Sequence, residues 1–175
     1  MCSSDLTLKN AGILIQEGSA EAVKLEGGVR VFDHVKGLVE REIPVMGHIG
    51  LTPQSIHTFG GYKVQGKTKV VADKIREDAL SLQDAGAFSI VIEGVPSELG
   101  AQITEEIEIP TIGIGAGPFC DGQVLVTQDM LGLFSDFTPK FVKVYSDLGT
   151  NARNAIETFC HEVRSGDFPT EEHSF

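Results

Sequence analysis

Two carboxylates and one imidazole in this sequence each stand at the end of a short apolar segment, shortly before a glycine. They are Glu26, His48 and Glu93. Carboxylate and imidazole groups exchange protons in enzyme reactions, and carboxylate oxygens are ligands of hard divalent cations. In folds that alternate strands and helices, ligands bind to the loops that follow the carboxyl ends of the strands. If the three apolar segments are strands of one such sheet, these side chains belong to one site.

Lys24 and Glu26 lie two residues apart in the first of these segments. Successive side chains of a strand point to alternate faces, so Lys24 and Glu26 share one face while Val23 and Leu25 share the other. A buried lysine and carboxylate are costly unless they pair with each other or bind something. Two interpretations stay open: a structural salt bridge, or a cation that binds a substrate oxyanion beside an acidic group near a metal ion.

Glu93 is the only charged residue between Ser89 and Val95. A carboxylate among apolar side chains is suited to accepting or donating a proton, unless the strand emerges into water at that point. His48 is weaker evidence, because a lone histidine is more often a hydrogen-bonded scaffold residue than a catalyst. Its place at the end of a strand nevertheless favours a role in the site.

The segment from Gly113 to Gly117 has glycine at every second position. This spacing differs from the dinucleotide-binding fingerprint, which must also open a helix, whereas Pro118 and an Asp121-Gly122 turn follow here. We interpret these glycines as room for a ligand close to the backbone. The sequence contains no P-loop, no G-x-S-x-G and no H-E-x-x-H pattern.

Strands and helices alternate in the predicted secondary structure. Apolar runs predict strands at residues 22–25, 44–49, 88–93, 111–114 and 123–127. Helical periodicity predicts helices at residues 7–18, 29–40, 71–86, 97–106 and 148–163. The nearly uninterrupted apolar run at 88–93 is typical of a strand buried on both faces, hence of a parallel sheet. The alternation therefore predicts an α/β fold, either an open doubly wound sheet or part of a barrel.

Composition limits the class of protein and its partners. The chain has 175 residues, 41% of them hydrophobic, which suits one domain with a full core. A formal net charge of −11 argues against nucleic acid and anionic membrane, because polyanions would be repelled. The three cysteines suggest neither a disulfide framework nor a zinc site, and no apolar run approaches the ~18 residues of a membrane span. We therefore expect a cytoplasmic protein with a single domain at residues 7–175, and we take residues 1–6 as a hypothetical non-native leader.

Six blocks of the sequence carry a family resemblance. They are VKLEGG at 23–28, GHIGLTPQ at 47–54, FGGYKVQG at 59–66, EGVP at 93–96, GIGAG at 113–117 and EEHSF at 171–175. In this order the blocks resemble the ketopantoate hydroxymethyltransferase family, also called 3-methyl-2-oxobutanoate hydroxymethyltransferase. The resemblance covers the chain from about Thr7 to Phe175.

The resemblance implies a partial (β/α)8 TIM-type barrel that holds about the last five strands with their helices. It implies an enzyme of pantothenate and coenzyme A synthesis that transfers a hydroxymethyl group from 5,10-methylenetetrahydrofolate to 3-methyl-2-oxobutanoate and gives 2-dehydropantoate. A Mg2+ ion would stabilise the enolate. By resemblance, Glu93 would be the proton acceptor, Lys24 and His48 would bind the substrate, and Glu26 would belong to the metal's shell. We expect the full-length protein to be a homo-oligomer.

The family pattern also includes preceding β/α units, in which an Asp-Ser pair and a later aspartate hold the metal. This sequence has no counterpart of either, so we expect the chain alone to be inactive. Two alternatives stay open beside the family function. One is a non-catalytic fragment or binding protein that keeps the pocket, and the other is a different metal-dependent enolate enzyme of the same barrel type.

Overall fold

The structure, a computed structural model, describes residues 3–52, 63–133 and 137–175. Residues 53–62 lie outside that description, and with them parts of the second and third sequence blocks. The chain divides into two compact units, Met1–Val124 and Leu125–Phe175. The strands and the predicted site residues all belong to the first unit.

The first unit alternates helices and strands in the predicted order. Its helices are α1 (Ser3–Gln16), α2 (Phe32–Val39), α3 (Lys69–Asp84) and α4 (Ser97–Glu106), with a 3-10 turn at Val29–Val31. Its strands are β1 (Val23–Glu26), β2 (Val45–Gly50), β3 (Ser89–Glu93), β4 (Thr111–Ile114) and β5 (Gly122–Gln123). The α/β class is confirmed, and the first four predicted strands are correct to within one residue at each end.

The five strands form one parallel sheet in the order β1-β2-β3-β4-β5. Each strand therefore lies beside the next strand of the sequence. A parallel pair needs a crossover connection, and α2, α3 and α4 lie in three of these connections. Right-handed crossovers that always advance in the same direction place their helices on one face of the sheet.

Apolar strand side chains pack against the helices on that face. Val45 and Ile90 are fully buried in one core with Leu82 of α3 and Ile103 of α4. Gly47 lies on the same face, where a Cβ would come within 2.7 Å of Leu82 Cδ1, so β2 and α3 approach too closely for a side chain. Because side chains alternate along a strand, the ionisable residues lie on the opposite face.

The predicted fifth strand at residues 123–127 is wrong over most of its length. β5 contains only Gly122–Gln123, and Thr127 begins a helix instead. Little of β4 is left to extend the pairing, since Gln123 already pairs with Gly113 and β4 ends one residue later. The chain therefore leaves the sheet close to the point where the first compact unit ends.

Asp121 fixes the start of β4. Its Oδ2 accepts the backbone N–H of Thr111 at 2.8 Å and the Thr111 hydroxyl at 3.0 Å. Thr111 is fully buried, and its hydroxyl also lies 2.9 Å from Thr104 Oγ1 on α4. The hydrogen bonds from Thr111 hold the pKa of the Asp121 carboxyl below its ordinary value. Protonation of Asp121 therefore weakens the attachment of β4 to the turn that follows it.

The second unit contains a long helix near the end of the chain. Its elements are α5 (Thr127–Met130), α6 (Leu148–Ser165) and a 3-10 turn at Glu171–His173. Asp147 caps α6 by accepting the Thr150 N–H at 3.3 Å, and Gly166 ends the helix with a φ of 82°. The predicted terminal helix is thus confirmed. In the described residues of both units, no helix is long and apolar enough to cross a membrane.

Candidate active site

The four predicted site residues meet near the carboxyl ends of three neighbouring strands. Lys24 and Glu26 lie on β1, His48 lies on β2, and Glu93 is the last residue of β3. Glu26 is opposite His48 in the register of β1 and β2, and Glu93 is opposite Gly50 in the register of β2 and β3. The structure therefore brings together all four residues, which we call the strand-end cluster.

His48 lies at the centre of the strand-end cluster. Its Nδ1 is 3.0 Å from Lys24 Nζ and 3.6 Å from Glu26 Oε1. Its Nε2 is 3.0 Å from Glu93 Oε2. His48 is only 1% exposed, so the ring contacts protein groups at both nitrogens and is closed off from solvent.

Solvent reaches the members of the cluster to different degrees. The exposed fraction of the side chain is 45% for Lys24, 16% for Glu93 and 10% for Glu26. Lys24 can therefore meet a ligand without any rearrangement. Glu93 is not a solvated strand end, since most of its side chain is buried and one of its oxygens is hydrogen-bonded to His48.

Lys24 and Glu26 do not form a tight salt bridge. Lys24 Nζ lies 4.0 Å from Glu26 Oε1, clearly farther than the 3.0 Å that separates it from His48 Nδ1. An ion pair at this distance on a half-exposed lysine contributes little to stability. Because an ammonium group has three N–H donors, Lys24 can hold the His48 ring and still bind a substrate oxyanion.

The described part of the chain does not complete a metal site. It contains no group of three or more His, Cys, Asp or Glu residues that could hold a metal ion. Glu26 is the candidate ligand, but the ammonium of Lys24 stands 4.0 Å from it, and Mg2+ demands octahedral coordination by oxygen atoms. The described residues alone therefore do not form a Mg2+ site.

A cavity of about 1100 Å³ lies between the ends of β1 and β2 and the first half of α3, and none of the four cluster residues lines it. Asp78 of α3 joins two sides of this cavity, because its Oδ1 accepts the backbone N–H of Val29, in the loop after β1, at 2.9 Å. Burial raises the pKa of the Asp78 carboxyl. Sequence reasoning missed this role, since Asp78 lies within the helix predicted at residues 71–86 and no local pattern indicates that it faces the loop after β1.

The glycines at 113 and 117 have a packing role. A Cβ at Gly117 would come within 2.2 Å of Ser97 Oγ, and a Cβ at Gly113 would come within 3.0 Å of Cys120 Sγ. The protein's own atoms therefore take the space that these glycines leave. The interpretation of this segment as room for a ligand is wrong at these two positions.

The fold and the cluster together define a class of protein. An α/β protein that gathers a lysine, a histidine and two carboxylates at the carboxyl edge of a parallel sheet has these side chains where enzymes of this class bind their ligands. The family model of ketopantoate hydroxymethyltransferase matches residues 1–171. This chain belongs to the ketopantoate hydroxymethyltransferase family, a family of transferase enzymes, as the sequence blocks predicted.

Curated relatives named 3-methyl-2-oxobutanoate hydroxymethyltransferase are similar over almost the whole chain. The Clostridium kluyveri protein is 62% identical over 96% of this chain and 60% of its own length. The Clostridium beijerinckii protein is 56% identical over 99% of this chain and 63% of its own length. The Geobacter sulfurreducens protein is 59% identical over 95% of this chain and 62% of its own length. The chain thus spans about three fifths of the length of these relatives.

Among solved structures, one similar chain comes from a crystal structure of a protein assigned as a lyase/mutase from Burkholderia cenocepacia. The TM-score is 0.47 at 14% identity, over 95% of this chain and 58% of that chain. A likeness at this level assigns neither a fold nor a function.

Proposed function

We propose that the complete protein is a 3-methyl-2-oxobutanoate hydroxymethyltransferase of pantothenate synthesis, and that this chain supplies its proton-accepting residue. The reaction would transfer a hydroxymethyl group from 5,10-methylenetetrahydrofolate to 3-methyl-2-oxobutanoate and give 2-dehydropantoate. The observation that carries the proposal is the hydrogen bond between His48 and Glu93 at the strand ends, in a chain of this family.

Glu93 is the proposed proton acceptor. The carbon next to the ketone of 3-methyl-2-oxobutanoate bears one hydrogen, and its transfer to the Glu93 carboxylate sends the electron pair to the ketone oxygen. The enolate carbon would then bond to the methylene carbon of the folate donor, and both bonds from that carbon to nitrogen would break. A water molecule would supply the hydroxyl group. The second proton of that water and the proton taken up by Glu93 would leave on the two nitrogens of tetrahydrofolate. The 16% exposure of the Glu93 side chain supports this role, because a substrate can reach the carboxylate while its surroundings exclude most water.

Lys24 is the proposed cation for the substrate. Its side chain is 45% exposed at the edge of the cluster, and its contact with His48 fixes the position of the ammonium group. A fixed cation stabilises negative charge that develops on a substrate oxygen without the cost of reorienting solvent. Lys24 would therefore serve both to bind the keto acid and to stabilise its enolate.

We propose Mg2+ as the cofactor of the complete protein, with Glu26 as one ligand and the other ligands supplied by the substrate or by residues beyond those described. The ion would stabilise negative charge on the keto acid's oxygens. The tetrahydrofolate derivative as the one-carbon donor and a homo-oligomeric assembly belong to the same proposal.

The sheet is proposed to be part of a TIM-type (β/α)8 barrel. Its sequential strand order supports this, because a doubly wound sheet reverses its order at a switch point and carries helices on both faces. The face that carries Lys24, Glu26 and His48 would then point into the barrel. Ligands of such barrels bind at the carboxyl ends of the strands, where the strand-end cluster lies.

A non-catalytic binding role is the second candidate. It is favoured by the absence of a group of three metal-ligating residues from the described part of the chain. A chimera distinguishes the two candidates: this chain replaces the matched segment of the Clostridium kluyveri relative, and the product is assayed with both substrates and Mg2+.

The proposed enzyme predicts that the chimera forms 2-dehydropantoate only when the keto acid, the folate donor and Mg2+ are all present. The control is the same chimera with Glu93→Gln. A chimera that folds like the relative but forms no product contradicts the proposal and favours the binding role.

A further inference from the structure

The strand-end cluster determines which ring nitrogen of His48 carries the proton. An ammonium group has three N–H donors and no acceptor, so Lys24 can only donate. Lys24 Nζ lies 3.0 Å from His48 Nδ1, which must therefore be the acceptor, because two donors at this distance would repel each other. A neutral imidazole with an acceptor at Nδ1 carries its single N–H at Nε2. That N–H donates to Glu93 Oε2 across 3.0 Å.

Glu26 does not change this assignment. Its Oε1 lies 3.6 Å from His48 Nδ1, which is longer than a hydrogen bond. An N–H on Nδ1 that pointed to Glu26 would also have to face the nearer ammonium of Lys24. The geometry thus favours one tautomer of the ring over the other.

We propose that His48 is a positioning residue for Glu93, and that Lys24 sets the tautomer in which His48 acts. The proposal rests on the function proposed for Glu93. It differs from the substrate-binding role that the family resemblance implied for His48. With both nitrogens engaged by protein groups and only 1% of the residue exposed, His48 has no atom left to offer a substrate.

The consequence for Glu93 is a fixed orientation of its carboxylate. His48 holds Oε2, whereas the other oxygen, Oε1, accepts no hydrogen bond from the described residues. A carboxylate held at one oxygen presents the other in a constant direction. Proton transfer gains from such alignment, since reacting atoms must lie within about 3 to 3.5 Å of each other in the correct orientation.

The tautomer is measured directly by nitrogen-15 NMR of the chimera with labelled histidine. The signals of His48 are assigned as those lost in His48→Gln. We expect an unprotonated Nδ1 and a protonated Nε2 in the parent chimera, and a loss of this pattern in Lys24→Met. Lys9→Met, which removes an exposed lysine of α1, is the matched control and should leave the pattern unchanged. The proposal would be overturned by a protonated Nδ1, or by His48 signals that are the same in Lys24→Met as in the parent.

Kinetics of the chimera test the positioning role. Glutamine at position 48 can place an amide N–H near the original Nε2, whereas asparagine is too short to reach Glu93. We expect kcat to fall by roughly 10-fold or more in His48→Asn with KM within about 3-fold, and His48→Gln to recover a large part of kcat. A rise in KM with kcat unchanged in both variants would make His48 a substrate ligand and overturn the proposal. An inactive parent chimera would contradict only the proposed function. The tautomer of His48 would still be decided by the NMR result.

Discussion

His48 Nε2 and Glu93 Oε2 lie 3.0 Å apart although 45 positions separate the two residues in the sequence. The contact runs diagonally between neighbouring parallel strands, since Glu93 is opposite Gly50 in the register. It ties the last residue of β3 to a ring that is buried in β2. The orientation of the Glu93 carboxylate is thus set by the sheet, which holds side chains more firmly than a loop does.

Replacement of Lys24 should weaken substrate use without unfolding the protein. Because a hydrogen bond to a charged group contributes about 1.5 to 3 kcal/mol, we expect Lys24→Met to lower kcat/KM of the chimera by roughly 10- to 100-fold. The measurement is steady-state kinetics with 3-methyl-2-oxobutanoate as the varied substrate. Lys9→Met is the matched control and should keep the parent value. Equal values of kcat/KM for Lys24→Met and Lys9→Met would show that Lys24 binds no substrate.

The sequence was sufficient to predict the strands that position the site. Apolar runs that end on ionisable residues placed Glu26, His48 and Glu93 at strand ends, and the parallel pairing did bring them together. Both features depend on local pattern, because buried parallel strands are nearly continuous apolar runs. The family blocks then predicted the family, which the family model confirmed.

Features that depend on the contact of distant segments were not predictable. The fifth strand is short because of where β4 ends, and Asp78 faces the loop after β1 only because α3 crosses it. The burial of His48 and its two contacts likewise depend on three strands at once. Hydrophobic periodicity indicates which face of a helix or strand is apolar. It does not indicate which residue of another helix or strand packs against that face.

Acid should remove the contribution of Asp121 to stability. The pKa of Asp121 is lower in the folded chain than its ordinary value of about 3.9, so its contribution is present above that value and is lost as the pH falls through the folded pKa. In the chimera, we expect Asp121→Asn to lower the free energy of unfolding at neutral pH and to differ less from the parent chimera in acid. Urea unfolding at several pH values measures this.

The control for Asp121 is Asp84→Asn, since Asp84 is an exposed aspartate at the end of α3, remote in sequence from Thr111. A difference in the free energy of unfolding between Asp121→Asn and the parent chimera that stays constant with pH would contradict the role of the ionised carboxylate.

The 175-residue chain by itself should not form 2-dehydropantoate at any Mg2+ concentration. The described residues offer Glu26 as a candidate ligand but no group of three metal-ligating residues, and a Mg2+ site needs further oxygens in fixed places. The assay is the one used for the chimera. Magnesium-dependent product from the isolated chain would show that the described residues and the substrate suffice for the metal.

The isolated chain should also associate with itself. In the described sheet, β1 and β5 are the outer strands, each paired on one side only, and unpaired strand edges recruit further strands. Size-exclusion chromatography with light scattering should therefore show oligomers or aggregates. A monodisperse monomer with a cooperative unfolding transition would count against an incomplete barrel.

Hydrogen exchange at the substrate carbon tests the role of Glu93 most directly, because it isolates proton removal from one-carbon transfer. The chimera is incubated in heavy water with 3-methyl-2-oxobutanoate and Mg2+ but without the folate donor, and the loss of the proton next to the ketone is followed by NMR. We predict enzyme-dependent exchange that slows by roughly 100-fold or more in Glu93→Gln, whereas Glu98→Gln, at an exposed site on α4, exchanges like the parent. Exchange at the parent rate in Glu93→Gln would contradict the assignment of Glu93 as the proton acceptor.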